Sequence, residues 1–274
     1  MNRTPEKFID IREVIRAKNP KLLKILPEFV IRLMKRLIHQ DEVNRIVWDY
    51  RDRYGTDFVR SILEDMKVTY DVTGLENIPR NGRYIFASNH PLGGFDGLVL
   101  MDAVGAVFPD LRFIVNDILL HLENFTPVFV PVNKHGRQSM DYAQQIDKIY
   151  SANVQVLNFP AGLCSRKIKG KIVDLKWNKN FIQKAVQYRR DVVPVYFEGR
   201  NSNFFYRLAN IRKALNIKTN IEMTFLVNEF FKQKGHHFRL TFGTPIRYAT
   251  FDKSKTPLQW AETVRNTVYA LPKK

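Results

Sequence analysis

Short β-rich runs separated by stretches of helical periodicity recur along most of this chain, and that alternation limits the fold more than any other feature. Strand-like runs fall at residues 68–72, 84–87, 112–116, 126–132, 154–159, 192–197 and 238–242. Helical spacing falls between them at 97–108, 142–150 and 178–188. Strands that alternate with helices build a sheet covered by helices on its faces. The expected fold is α/β, a central mixed sheet flanked by helices, preceded by an N-terminal helical layer.

The first 66 residues read as several helical pieces. Within 20–40, Leu22, Leu23, Leu26, Phe29, Val30, Leu33, Met34 and Leu37 share one stripe, while Lys21, Lys24, Arg32, Lys35 and Arg36 lie mostly off it. Pro27 would kink or interrupt this helix, because proline lacks the amide proton and clashes with the preceding turn. A basic amphipathic helix can rest its apolar face among acyl chains and its cations on lipid phosphates, and it can equally pack on a neighbouring domain. The β-rich start at Val68 divides the chain into an N-terminal helical region, 1–67, open to either role, and an α/β domain, 68–274.

Junctions between strands and helices are where such folds place their chemistry. Residues 83–98, R-Y-I-F-A-S-N-H-P-L-G-G-F-D-G-L, carry an apolar strand into Asn89 and His90, then through a Pro- and Gly-containing loop to Asp96. A carboxylate there can hold the proton of one imidazole nitrogen and leave the other to take a proton from a hydroxyl. Gly93 and Gly94 allow the loop to fold back.

N-H-P-L-G-G-F-D resembles the first motif, N-H-x-x-x-x-D, of the glycerolipid acyltransferases, the lysophosphatidic acid acyltransferase-like superfamily. It departs from that pattern in having five residues, not four, between His90 and Asp96. The N-H-P-L-G-G form is similar to a bacterial branch of hemolysin-like or lyso-ornithine-lipid O-acyltransferases. The resemblance covers residues 68–242 and implies that His90 is a general base and Asp96 its orienting partner.

Three further segments follow in family order. P-V-F-V-P-V-N-K, 127–134, resembles a strand end whose Arg holds the acceptor's phosphate, with Lys134 at that position. N-F-P-A-G-L-C-S-R-K-I-K-G-K, 158–171, resembles F-P-E-G-T-R-S: Phe159, Pro160, Gly162 and Ser165 match, whereas Ala161 and Cys164 replace the Glu and Arg, and Arg166 stands two residues on. V-V-P-V-Y-F, 192–197, resembles the segment near the acyl pocket and is followed by Arg200. The resemblance thus makes Lys134, Gly162, Ser165, Arg166 and Arg200 substrate-binding candidates, and backbone amides near Gly93, Gly94 or Gly162 oxyanion donors.

It also implies the reaction, transfer of a fatty acyl group from an acyl carrier protein or coenzyme A thioester to a lysolipid hydroxyl, with no bound cofactor. Changing both phosphate anchors points away from 1-acyl-glycerol-3-phosphate and toward a lyso-amino-acid lipid, whose carboxylate Arg166, Lys134 and Arg200 would neutralise. The phosphate acceptor remains the alternative. A lone Cys164 also admits a covalent acyl-thiol route.

Composition narrows partners and place. Lys and Arg number 44 against 27 Asp and Glu, a net charge of +17, so the chain needs an anionic partner: membrane surface, acidic carrier protein or nucleic acid. Nucleic acid is disfavoured because no zinc-finger spacing, RNA-binding aromatic segment or helix-turn-helix is present. A non-catalytic basic membrane or nucleic-acid binder is the reading of another class. The 6 histidines form no spaced ligand set, so no metal site is expected. One cysteine forbids an internal disulfide, and no apolar run reaches membrane-spanning length. Peripheral attachment at the cytoplasmic face of the inner membrane is expected.

Overall fold

The computed structural model describes residues 8–116, 122–126, 128–132 and 139–271. Five helices come first: α1 (Ile11–Lys18), α2 (Pro20–Ile25), α3 (Glu28–Leu37), α4 (Gln40–Asp49) and α5 (Gly55–Asp65). Pro27 ends α2 and stands as the N-cap of α3, so the amphipathic stretch is two helices. Their apolar stripe divides accordingly. Leu23, Leu26 and Met34 pack against Ile11, Ile15 and Ile31, whereas Leu22, Ile25, Phe29 and Leu33 face outward.

The strands and later helices are β1 (Thr69–Thr73), β2 (Tyr84–Ser88), α6 (Phe95–Gly105), β3 (Leu111–Asn116), β4 (Phe129–Val132), α7 (Ser139–Ser151) and β5 (Gln155–Asn158). Then come β6 (Arg166–Ile168), β7 (Lys171–Val173), α8 (Asn180–Tyr188), β8 (Asp191–Glu198), α9 (Asn203–Ala214), α10 (Leu226–Phe231), β9 (His237–Phe242) and α11 (Pro257–Ala270).

Seven strands form one sheet in the order β1-β9-β8-β2-β5-β3-β4. Every neighbouring pair is parallel except β8 and β9, so the sheet is mixed. β2 sits near its middle, with Ile85 opposite Val156 on one side and Val192 on the other. All five of its residues are buried, as expected of a strand covered on both faces.

Alternation along β2 sorts the core into two layers. Phe86 points to the side where α5 contributes Phe58 and Ile62 and α6 contributes Leu98 and Val99. Ile85 and Ala87 point to the other, against Phe181 of α8 and Val264 of α11. Helix α6 is buried on all its sides, as a uniformly apolar helix must be. Asp102 is accommodated there because Arg60 Nε at 3.1 Å and the Tyr70 hydroxyl at 2.6 Å donate to its carboxylate. These two layers fix β2 and α6, and with them the loop that joins the two.

Candidate active site

β2 gives way to a loop at Asn89, whose side chain continues the ladder in place of backbone. Its Nδ2 donates to the Phe197 carbonyl at 2.9 Å and its Oδ1 accepts the Phe197 amide at 2.7 Å. This rung pins His90 just beyond the strand end. Gly93 adopts φ +77°, and a β-carbon there would come within 2.8 Å of Leu226 Cδ2, so the turn requires glycine.

Helix α6 begins at Phe95, two residues earlier than its periodicity indicates, which puts Asp96 in the first turn. The Asp96 carboxylate is wholly buried. Its Oδ1 accepts the amides of Gly94 and Gly97, and its Oδ2 accepts the Leu92 amide and His90 Nδ1, both at 2.9 Å. The one-residue insertion in the motif therefore leaves the His–Asp contact intact. A carboxylate only accepts, so Nδ1 is the donor in this contact, and in the neutral ring the lone pair is then on Nε2. The ring stacks on Phe159 at 3.9 Å, with 14% of the side chain exposed. Among the described residues Nε2 has no hydrogen-bond partner. Such an imidazole can take a proton from a hydroxyl brought to its open edge.

The backbone of His90 is held as firmly as its ring. Its carbonyl accepts the Ser165 amide at 2.7 Å, and its amide donates to Asp174 Oδ1 at 3.1 Å. The Ser165 hydroxyl donates to the same oxygen at 2.6 Å, and Trp177 Nε1 donates to Oδ2 at 2.8 Å. Tyr269 accepts the Asp174 amide and Arg265 donates to its carbonyl, both from α11. Burial pushes the Asp174 carboxyl above the usual carboxylate range, against the pull of its Ser165, Trp177 and His90 donors. Asp174 thus ties the His90 loop to the 158–171 segment and to the last helix. It stands in no motif; the only local signal is a lone Asp at the end of an apolar run, three residues before Trp177.

The other expected site residues are distributed differently. Ser165 is buried as this bridge. Gly162 has φ +67°, a backbone role, and Phe159 supplies the stacking surface. Arg166 turns inward, contrary to the expectation of an acceptor contact: its Nη2 pairs with Glu222 at 2.9 Å, its Nη1 donates to the Cys164 carbonyl at 2.7 Å, and it lies over Phe205. Glu222 is shared with Arg212 at 2.8 Å. Buried carboxylate and guanidinium stay together because either alone would be an unpaired charge away from water.

Arg200 is exposed and meets Asn203 Oδ1. The residue of that turn which reaches the site is its neighbour Asn201, whose side-chain Nδ2 donates to the Pro91 carbonyl at 3.3 Å. Gly94 cannot serve as an oxyanion donor while its amide donates to Asp96, whereas the Gly93 amide has no partner among the described residues. Lys134 lies outside the described residues. Cys164 is buried and its thiol is pushed up to about 11 by burial, away from the thiolate a covalent route needs. Among the described residues no group of three or more His, Cys, Asp or Glu side chains could hold a metal ion.

A family model described as acyltransferase matches residues 13–274. The chain is similar to a lyso-glycine lipid O-acyltransferase of Bacteroides thetaiotaomicron, 47% identical over 265 residues that make up 96% of this chain and 97% of the relative. One of the same description from Phocaeicola vulgatus is 45% identical, over 96% and 95% of the two chains. A solved structure, the 1-acyl-sn-glycerophosphate (LPA) acyltransferase PlsC from Thermotoga maritima, aligns over 88% of this chain and 97% of its own, at 16% identity and a TM-score of 0.46.

Proposed function

Because the chain belongs to this acyltransferase family and is a lysolipid O-acyltransferase, we propose that its acceptor is a lyso-glycine lipid and that His90 and Asp96 carry the chemistry. The acceptor in this reading is a 3-hydroxyacyl amide of glycine, with a free hydroxyl at one end and a carboxylate at the other. His90 Nε2 takes the hydroxyl proton while Asp96 steadies the cation that forms on the ring. The oxygen attacks the carbonyl carbon of a fatty acyl thioester, and the oxyanion of the tetrahedral intermediate is met by backbone amides, with Gly93 a candidate. Collapse of the intermediate expels the thiolate, which recovers the proton from the imidazolium, leaving an ester and a free thiol.

The observation that carries this reading is the His90 Nδ1 to Asp96 Oδ2 hydrogen bond at 2.9 Å, with Nε2 left to accept. A glycine-type acceptor is supported by the two relatives and by the loss of the phosphate-gripping Arg, whose position holds the buried Cys164. Arg200, exposed at the β8–α9 turn, is the headgroup contact in this reading, together with Lys134. The donor is an acyl carrier protein or coenzyme A thioester, both anionic and matched to the net charge of +17.

No helix among the described residues is long and apolar enough to cross a membrane. The proposed attachment is peripheral, at the cytoplasmic face of the inner membrane, with residues 1–67 as the associating region and the outward Leu22, Ile25, Phe29 and Leu33 as its contacts. A competition assay with lyso-glycine lipid and lysophosphatidic acid at equal concentration tests the acceptor. Faster esterification of lyso-glycine lipid is expected; clear preference for lysophosphatidic acid overturns the headgroup assignment.

A further inference from the structure

Helix α9 has two apolar faces, one buried and the other largely open, with Phe204 of the second edge-on to Phe225 and Leu208 half-buried. Phe205, Tyr206 and Ala209 are buried, closing over Cys164 and the Arg166 pair. Phe204, Leu208, Ile211 and Leu215 recur at helical spacing on a different side. Of these, Phe204 is 51%, Ile211 56% and Leu215 66% exposed, and Ile217 continues the patch in the turn beyond. A soluble surface seldom leaves a row of large apolar side chains open unless something covers it.

The charge around this row has one sign. Every charged residue between Glu198 and Glu222 is a cation: Arg200, Arg207, Arg212, Lys213 and Lys218. Arg212 is drawn in by Glu222, while Arg200, Arg207, Lys213 and Lys218 are exposed. An apolar stripe bordered by cations matches the interfacial layer of an anionic bilayer, where side chains such as Phe and Leu enter the acyl boundary and cations meet phosphates.

Position gives the patch its purpose. The turn that opens α9 begins with Asn201, which donates to the Pro91 carbonyl in the His90 loop, and the adjoining α10 places Leu226 against Gly93. On its other side α10 receives His39, which stacks on Phe231 at 4.4 Å and bonds Asn228, linking it to the N-terminal helices.

We propose that α9 and the turn after it form a second membrane-docking face, separate from α2 and α3, that seats an anionic bilayer beside the His90 loop so that a lysolipid passes from the lipid to the site without crossing bulk water. The proposal rests on the lysolipid reading above. It assigns the occupant as anionic lipid; an acidic carrier protein is the competing occupant that the test separates.

The full-length protein is measured for co-flotation with vesicles of phosphatidylglycerol and phosphatidylethanolamine, against the Ile211→Ser/Leu215→Ser variant and the Arg207→Ser/Lys218→Ser variant. Each changes only exposed side chains, so circular dichroism and thermal midpoint should match wild type. Vesicle partitioning is expected to fall about tenfold or more for each pair, with turnover of vesicle-borne acceptor falling in step. Turnover of a short-chain acceptor dissolved in buffer should stay at the wild-type value. Unchanged partitioning in both variants overturns the proposal, as does unchanged partitioning with a raised KM for a carrier-protein thioester, which would make the face a protein dock. Absence of turnover on the dissolved acceptor in the wild-type enzyme would instead strike the lysolipid reading, and the flotation result would still decide the docking face.

Discussion

Asparagine at position 174 would keep the shape of the aspartate and alter its chemistry on one side only. Oδ1 would still accept from the His90 amide and the Ser165 hydroxyl. The new amide group would face Trp177 Nε1, which donates at 2.8 Å in the native protein, so two donors would meet. A buried donor without a partner costs about 1–3 kcal/mol. Part of that is offset, because burial holds the native carboxyl above its ordinary range and asparagine carries no charge to desolvate.

A net loss of about 1–2 kcal/mol at neutral pH follows, lowering the thermal midpoint by roughly 2–4 °C per kcal/mol in a chain of this size. The sign with pH is fixed by the direction of the shift. A carboxyl raised in the folded state contributes stability that is full below its unfolded value, 3.8, and lost as pH rises through its folded value. The wild-type advantage over Asp174→Asn should therefore be largest at the acid end and shrink toward neutrality. Urea unfolding across that range measures it.

Turnover reports the positioning role. Asp174→Asn should keep kcat within about tenfold of wild type, while Asp174→Ala, which releases the His90 amide altogether, should lose about a hundredfold, the scale of a small misplacement of a reacting group. An advantage that grows with pH would refute the raised carboxyl, and equal loss of kcat in the two variants would refute the assignment of Oδ1 as the anchor of His90.

Four other substitutions bear on the site. His90→Ala should lower kcat by about a hundredfold to ten-thousandfold with the fold intact, and Asp96→Asn should fall in the same direction; wild-type turnover in both purified variants would remove the general-base assignment. Arg166→Ala should destabilise by up to about 3–5 kcal/mol, moderated because Arg212 still pairs with Glu222, and leave the acceptor KM unchanged. Unchanged stability with a raised acceptor KM would restore the acceptor-binding role. Cys164→Ser should retain acyl transfer, and native enzyme treated briefly with a thiol alkylator should keep its activity; loss in both would bring back the covalent route.

Local signals in the chain are enough to find β2, the His90 loop and Asp96, because their contacts close within a few residues. The residues that support them are out of reach of such signals. Asn89 bonds a residue 108 positions away, His90 reaches Asp174 84 positions on, and Asn201 returns 110 positions to Pro91. The inward turn of Arg166 is out of reach for the same reason: nothing near it in sequence points its guanidinium toward Glu222, 56 residues later.

Other elements do carry local signals. R-K-I-K-G-K-I-V forms a hairpin of β6 and β7 around Lys169 and Gly170, both at positive φ as a two-residue turn requires. Lys167 and Lys171 therefore fall on its two strands and Lys169 in its turn. T-P-L-Q at residues 256–259 is a capping box with proline at its first turn and announces α11, the helix that braces Asp174.

The place of β9 in the sheet sets a clock on synthesis. It lies between β1 and β8, and Thr69 of β1 meets His237 across 168 residues of chain. At about 5–20 residues per second, a ribosome would present β1 roughly ten to thirty seconds before its partner exists. During that interval the central strands have an open edge and the His90 loop lacks α10 and α11. A chain halted at Gly235, before β9, should aggregate without turnover, as a release assay with stalled ribosomes would record. The reactive pair is read out well before the strand that closes the sheet beside it.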